Sequence, residues 1–204
     1  IYLNAGAGTN RVEFNRVFGN GRTGVYLEGS GYARRNVVYS NGDHGIQIEG
    51  YEGDYREVVN NLCYLNGNAP GEFNIVAGAN YWQGKRGLIE NNTVYGGSGI
   101  YIGNPIAFTN RNNIIWATGS NAVALVRFTH LDRYAWGYME SDNNLIYATG
   151  GAIVGQWNGN QAGLFDWQYA IQQDYHSFAA PPQFVNMAGV DGIVGGANGW
   201  DDNF

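Results

Sequence analysis

The stretch "VRFTHLDRY", residues 126–134, places Arg127, His130, Asp132 and Arg133 within seven positions. Proton abstraction beside a uronate carboxylate needs a cation to neutralise the carboxylate, a base to take the proton and an acid for the departing oxygen. These four residue types supply all three roles. Lys85, the chain's single lysine, stands beside Arg86 in another segment, and Glu52 and Asp54 stand in a third. The same residues are equally suited to be solvated loop charges and surface ion pairs. A second candidate is "GDHG" at 42–45, where His44 reads as a corner histidine. The third is the acidic C-terminal group Asp191, Asp201 and Asp202, oxygen donors of the kind calcium takes, although the spacing of a calcium loop is absent.

The elements that must position these residues announce themselves by repetition. An Asn-led phrase occurs six times: "NRVFGNG" from Asn15, "NVVYSNG" from Asn36, "NLCYLNG" from Asn61, "NTVYGGS" from Asn92, "NIIWATG" from Asn113 and "NLIYATG" from Asn144. The spacings of 21, 25, 31, 21 and 31 residues describe a constant unit carrying loops of variable length. After each phrase comes a strand, such as "GVYLEG" from Gly24 or "GIQIEG" from Gly45. Strand alternation turns one column inward, namely Val17, Val38, Cys63, Val94, Ile115 and Ile146, so Cys63 is a core filler. The residues beside them, Phe18, Tyr39, Tyr64, Tyr95, Trp116 and Tyr147, form an outward aromatic column.

One such unit cannot bury its apolar face alone, whereas stacked units can. A leucine framework with a helix in each unit is missing, which leaves a parallel β-helix with coils about 4.8 Å apart. Equivalent Asn amides would bond one another along the stack, and Asn tolerates the left-handed backbone of a sharp corner. The sequon Asn91-Asn92-Thr93 falls in such a corner, where the ladder accounts for it. The pattern N-x-[VI]-[YFW]-x-[NGT]-G followed by G-[VI]-x-[IL] resembles the right-handed parallel β-helix repeat of pectin-lyase-like proteins, including NosD-type periplasmic proteins. That resemblance covers residues 1–155 and implies an all-β solenoid of about seven coils. It also implies a secreted, cell-surface or periplasmic setting and polysaccharide as a ligand class. Pectin-degrading hydrolases of this fold carry a Gly-His-Gly and clustered aspartates, but only the His44-Gly45 portion has a counterpart here.

Residues 156–204 follow a different grammar. Leu164, Trp167, Ala170 and Ile171 have helical spacing, and "DYHSFAAPPQFVN" resembles the terminal segment of secreted bacterial β-helix proteins. The expected role of this part is to pack along the solenoid or over its end. "IYLNAG" at the start aligns with "VYLEG" from Val25, so the chain opens within a coil, as expected of a piece of a longer solenoid able to associate end to end or laterally.

Composition narrows the partners. A net charge of −6 with one lysine offers no basic stripe for nucleic acid or anionic lipid, and no run approaches the ~18 apolar residues of a membrane span. With 32 glycines, 4 prolines and a single cysteine, the chain is turn-rich and has no internal disulfide. Three insertions, 50–57, 77–87 and 127–142, carry Tyr51, Tyr55, Tyr81, Trp82, Tyr134 and Trp136, rings suited to stacking on sugars or to anchoring their own loops. Two functions from different classes stay open. The first is a scaffold or recognition module that binds polysaccharide or neighbouring protein subunits. The other is a lyase, hydrolase or epimerase acting on uronide glycans through Lys85, Arg127, His130, Asp132 and Arg133.

Overall fold

A computed structural model describes residues 1–4, 8–50, 55–67, 69–78, 87–103, 108–128, 139–196, 199 and 201–204. Each coil contributes three strands. The first coil holds β1 (Tyr2–Asn4), β2 (Asn10–Glu13) and β3 (Arg16–Phe18), and the second β4 (Val25–Glu28), β5 (Gly31–Arg34) and β6 (Val37–Tyr39). The third holds β7 (Ile46–Glu49), β8 (Arg56–Val59) and β9 (Leu62–Tyr64), and the fourth β10 (Phe73–Ala77), β11 (Gly87–Glu90) and β12 (Thr93–Tyr95). The fifth holds β13 (Ser98–Gly103), β14 (Phe108–Arg111) and β15 (Ile114–Thr118), and the sixth β16 (Val123–Phe128), β17 (Met139–Asp142) and β18 (Leu145–Thr149). A seventh coil opens with β19 (Ile153–Gln156); β20 (Asn160–Gln161) folds back antiparallel on it, and α1 (Leu164–Ile171) follows.

Like strands stack on like. Sheet A runs β1-β4-β7-β10-β13-β16-β19-β20, sheet B β2-β5-β8-β11-β14-β17, and sheet C β3-β6-β9-β12-β15-β18, all parallel apart from β20. The molecule is therefore a parallel β-helix, and the opening Tyr2 pairs with Tyr26 as the alignment of the two phrases requires. The inward column of sheet C, from Val17 to Ile146, is buried throughout, with Cys63 wholly enclosed. Valine, isoleucine and leucine from sheet A fill the opposite wall, for example Leu27, Ile48, Ile75 and Ile100. The glycine that opens the sheet A strands is required by crowding: a Cβ at Gly45 would lie 2.5 Å from Asn74 O, and one at Gly99 would lie 2.1 Å from Ala124 O.

The turn from sheet B to sheet C is two residues long in all six coils. Its second residue is the ladder Asn. Each rung's Oδ1 accepts the backbone N–H of the preceding rung at 2.9 to 3.0 Å, from Asn15 on Asn36 through to Asn113 on Asn144. The side-chain amides follow the same path, Asn61 Nδ2 donating to Asn92 Oδ1 at 3.1 Å and Asn92 Nδ2 to Asn113 Oδ1 at 3.0 Å. One expectation needs correction. The left-handed backbone belongs not to the ladder Asn but to the residue before it: Phe14, Arg35, Asn60, Asn91, Asn112 and Asn143, with φ between 54° and 58°. The ladder side chain must point inward to meet its neighbours, so the reversal falls one residue earlier. In the sequon, Asn92 is accordingly the buried rung and Asn91 the exposed corner.

A second ladder flanks the other edge of sheet C. Asn20 Nδ2 donates to Asn41 Oδ1 at 2.8 Å, Asn41 to Asn66 at 2.8 Å, and Asn66 to Asn74 at 2.9 Å. Asn74 ends the series on the carbonyls of Gly96 and Ser98, at 2.7 and 2.9 Å.

The C-terminal part covers both an end and a side. The fully buried Trp167 lies over Gly155, where an added Cβ would come within 2.0 Å of its ring. Buried Asp174 closes the first ladder, accepting Asn144 Nδ2 at 3.1 Å, Ser177 Oγ at 2.6 Å and Trp167 Nε1 at 2.8 Å. The final segment runs along sheet C. Tyr39 stacks between Phe18 and Tyr64 at 5.0 and 4.9 Å, Phe204 lies against Tyr64 and Tyr95, and Phe184 against Trp116. Tyr39 and Tyr64 are thereby fully buried, whereas Phe18 stays 42% exposed. Among the described residues no helix is long and apolar enough to cross a membrane.

Candidate functional site

Opposite the fixed turn lies a variable one. The connections from sheet A to sheet B are residues 5–9, 29–30, 50–55, 78–86, 104–107 and 129–138, ranging from two to ten residues. Every insertion foreseen from the sequence leaves from this one corner, with strands reaching further into it than expected: β16 ends at Phe128, β8 begins at Arg56 and β17 begins at Met139. Lys85, His130, Asp132, Arg133, Tyr51, Tyr81, Trp82, Tyr134 and Trp136 lie outside the described residues, as do Glu52, Asp54 and Arg86.

Arg127 is described and belongs to a strand. It pairs in register with the inward-facing Ile102, and its guanidinium sits 4.9 Å from the ring centroid of Trp157. Burial lowers its pKa from the usual arginine value, since removing a cation from water penalises the charged form. Tyr55 is 44% exposed, and its backbone N–H donates to Ser30 Oγ at 3.2 Å. Burial, then Glu57, raises its hydroxyl pKa.

The acidic tail is occupied with its own backbone. Asp201 accepts the N–H groups of Val190 and Asp191 at 2.7 and 3.1 Å, Asp202 that of Gly195 at 2.7 Å, and Asp191 that of Ile193 at 2.8 Å. Among the described residues no group of three or more His, Cys, Asp or Glu could hold a metal ion. His44 ties two coils together: its Nδ1 accepts the Phe73 N–H at 3.0 Å, which fixes the proton on Nε2, and burial lowers its pKa.

Sequence reasoning passed over the outer face of sheet A. In register across the coils stand Tyr2, Tyr26, Gln47, Val76, Tyr101, Val126 and Gln156. Toward the C-terminal coils this face holds a groove of about 390 Å³, floored by Phe73, Tyr101, Val123 and Val126 and edged by Ser98, Asn121, Gln156 and Asn160. Phe73 and Tyr101 meet at 5.3 Å between ring centroids. Toward the N-terminal coils the face turns acidic. Glu28 accepts Tyr2 OH at 2.7 Å and Asn4 Nδ2 at 2.9 Å, while Glu49 accepts Tyr26 OH at 3.1 Å and Gln47 Nε2 at 2.9 Å.

Sheet B presents a contrasting outer face, with charge cancelled by charge. Arg34 pairs with Glu57, Arg111 pairs with Glu90 at 2.7 Å, and the Arg34 guanidinium lies 4.2 Å from the Tyr32 ring centroid. Sheet C is roofed by the C-terminal segment. Among the described residues, the outer face of sheet A combines an apolar floor with convergent hydroxyl and amide groups, the make-up of a small-molecule site.

The family model described as "Right handed beta helix region" matches residues 1–163. The chain belongs to the right-handed β-helix family. Comparison with curated proteins and with solved structures gives no significant match. In this right-handed β-helix, the sheet A groove lays the partly exposed Tyr101 ring over the buried Phe73 and Val126, with Ser, Asn and Gln side chains at its rim. Its described residues bring no base and cation together as an elimination would need. Only Arg127 of the foreseen catalytic set has a described position.

Proposed function

We propose that this β-helix is an extracellular, cell-surface or periplasmic recognition scaffold that binds polysaccharide along the outer face of sheet A. The observation that carries the reading is the groove of about 390 Å³ with two aromatic rings on its floor and amides at its rim. A polysaccharide is itself a repeat, and side chains recurring at about 4.8 Å from coil to coil give it a matching periodic surface. The connections of the A-to-B corner, with Tyr55 just before β8, leave from the same sheet.

The test is affinity electrophoresis in gels containing soluble polysaccharides, with wild type and Tyr101→Ala compared after circular dichroism confirms that both are folded. Wild type is expected to be retarded, and Tyr101→Ala to lose affinity about tenfold, as removal of a stacking ring does. Equal retardation of the two proteins, or none across the panel, contradicts the proposal. A second reading, a lyase, hydrolase or epimerase acting on uronides, is favoured by the half-buried Arg127 guanidinium at the end of β16. Ultraviolet absorbance from an unsaturated product, or new reducing ends, on incubation with uronides would support that reading; Arg127→Ala should then abolish the signal.

A further inference from the structure

We infer that the sheet A groove carries an acid-operated gate, in which protonation of His44 releases the backbone of Phe73 and with it the support beneath the Tyr101 ring. The gate is a property of the chain alone; its consequence, release of a bound glycan in acid, rests on the polysaccharide-recognition reading above.

Ile75 pairs with Ile46 and Val76 with Gln47, so counting back along both strands places Phe73 opposite His44 at the start of β10. In a parallel ladder a residue donates to the carbonyl just before its partner and accepts from the N–H just after it. The second bond is made, Gly45 N–H donating to Phe73 O at 3.2 Å. The first is carried by a side chain instead: the Phe73 N–H donates to His44 Nδ1 at 3.0 Å. A carbonyl accepts at any pH, whereas an imidazole nitrogen accepts only while it carries no proton. Protonation makes Nδ1 a donor facing the Phe73 N–H, and the bond becomes a repulsive contact.

Phe73 is the point at which that bond reaches the groove. Its buried ring packs with Val126 and lies 5.3 Å from the Tyr101 ring, centroid to centroid. It also ends the connection of residues 65–72, the longest between sheets C and A, whose Gly71 borders the groove as well. The next residue is held independently: Asn74 Oδ1 accepts Asn66 Nδ2 at 2.9 Å, and Asn74 Nδ2 donates to Gly96 O and Ser98 O at 2.7 and 2.9 Å. Loss of the His44 bond therefore frees Phe73 and the end of the connection while β10 stays in the sheet. Among the described residues three carboxylates face the imidazole: Glu72 from the connection, Asp43 from its own turn and Glu49 from the end of β7. They favour the imidazolium, but burial opposes them and prevails, so the ring is neutral at neutral pH and takes its proton below the ordinary histidine value of about 6.5. The gate is closed at neutral pH and opens as acid is added.

The test is NMR on the ligand-free full chain from about pH 7.5 to about pH 4.5, a range that spans histidine titration. His44 is followed by its ring shifts, Phe73 by the exchange protection factor of its amide, and the groove floor by the nuclear Overhauser contact between the Phe73 and Tyr101 rings. In wild type, Phe73 protection should fall about tenfold as His44 takes its proton, the size expected for loss of one hydrogen bond, and the ring contact should weaken with the same midpoint. In His44→Asn, whose amide oxygen can accept but does not titrate, both should stay level; if that variant does not fold, the wild-type titration decides alone. Phe73 protection that holds while His44 titrates, an equal loss in His44→Asn, or a ring contact unchanged after Phe73 is released would each overturn the gate. No glycan enters the measurement, so failure of the electrophoresis with Tyr101→Ala would sink the glycan reading and leave this result standing.

Discussion

The corner between sheets B and C and the corner between sheets A and B belong to the same coils and obey opposite rules. The first spends two residues in every coil and ends each time on a ladder Asn, buried from Asn36 onward; the second varies from two residues to ten. Hydrogen bonding accounts for the difference. At the first corner each Asn oxygen from Asn36 onward receives two donors from the preceding coil, and each amide also reaches a backbone carbonyl, as Asn92 Nδ2 reaches Val58 O at 2.8 Å. An inserted residue there would strand several buried polar groups at once. At the second corner the strands are tied by their own ladders, so the connecting chain is free to lengthen. A solenoid of this kind keeps its pitch on one edge and changes its surface on the other.

The largest effect that separates the two corners should come from one glycine inserted between Asn91 and Asn92. It would displace a rung and throw the following strand to the wrong face, costing about 4 kcal/mol or more in urea unfolding. Asn92→Ala keeps the spacing but strands the Asn61 donors and Val58 O, so a loss of about 3 kcal/mol is expected by the same measurement.

A smaller effect concerns His44 at the third corner, between sheets C and A. Its native pKa is depressed by burial, so the unfolded chain binds the proton more readily. The stability it contributes is complete above the unfolded value of about 6.5 and declines as pH falls through the native one. Urea midpoints across that window should therefore fall more steeply with acid for wild type than for His44→Asn. Smallest of all should be a Gly-Ser pair inserted between Gly29 and Ser30, which doubles the shortest A-to-B connection at a cost of about 0.6 kcal/mol. A loss as large as that of the Asn91/Asn92 insertion would erase the distinction between the corners.

Much of this architecture was legible in the sequence because the first ladder always sits at the head of the same phrase. Its six rungs, the inward column behind them and the pairing of Tyr2 with Tyr26 follow from spacing alone. The second ladder was not legible. Asn20, Asn41 and Asn66 stand in Asn-Gly pairs that look like ordinary turns, and Asn74 joins them from a strand. The left-handed corner residues are four Asn, which tolerate that backbone, preceded in the first two coils by Phe14 and Arg35, so the Asn-Asn pairs carry the signal in only part of the column. The sheet A groove was hidden for a related reason. Phe73, Tyr101 and Val126 lie more than twenty residues apart in strands of unremarkable composition, and only their register makes a surface of them. Loop residues rich in charge drew attention first, yet of the proposed catalytic set Arg127 alone has a described place, and it is in a strand.

Native-state hydrogen exchange tests the division of labour between the corners most directly. The amides of Asn36, Asn61, Asn92 and Asn113, each donating to the next rung, should exchange only with global unfolding, and the amides of Gly29 and Gly78 at the variable corner should exchange faster through local opening. Ladder amides that exchange as fast as Gly29 and Gly78 would contradict it.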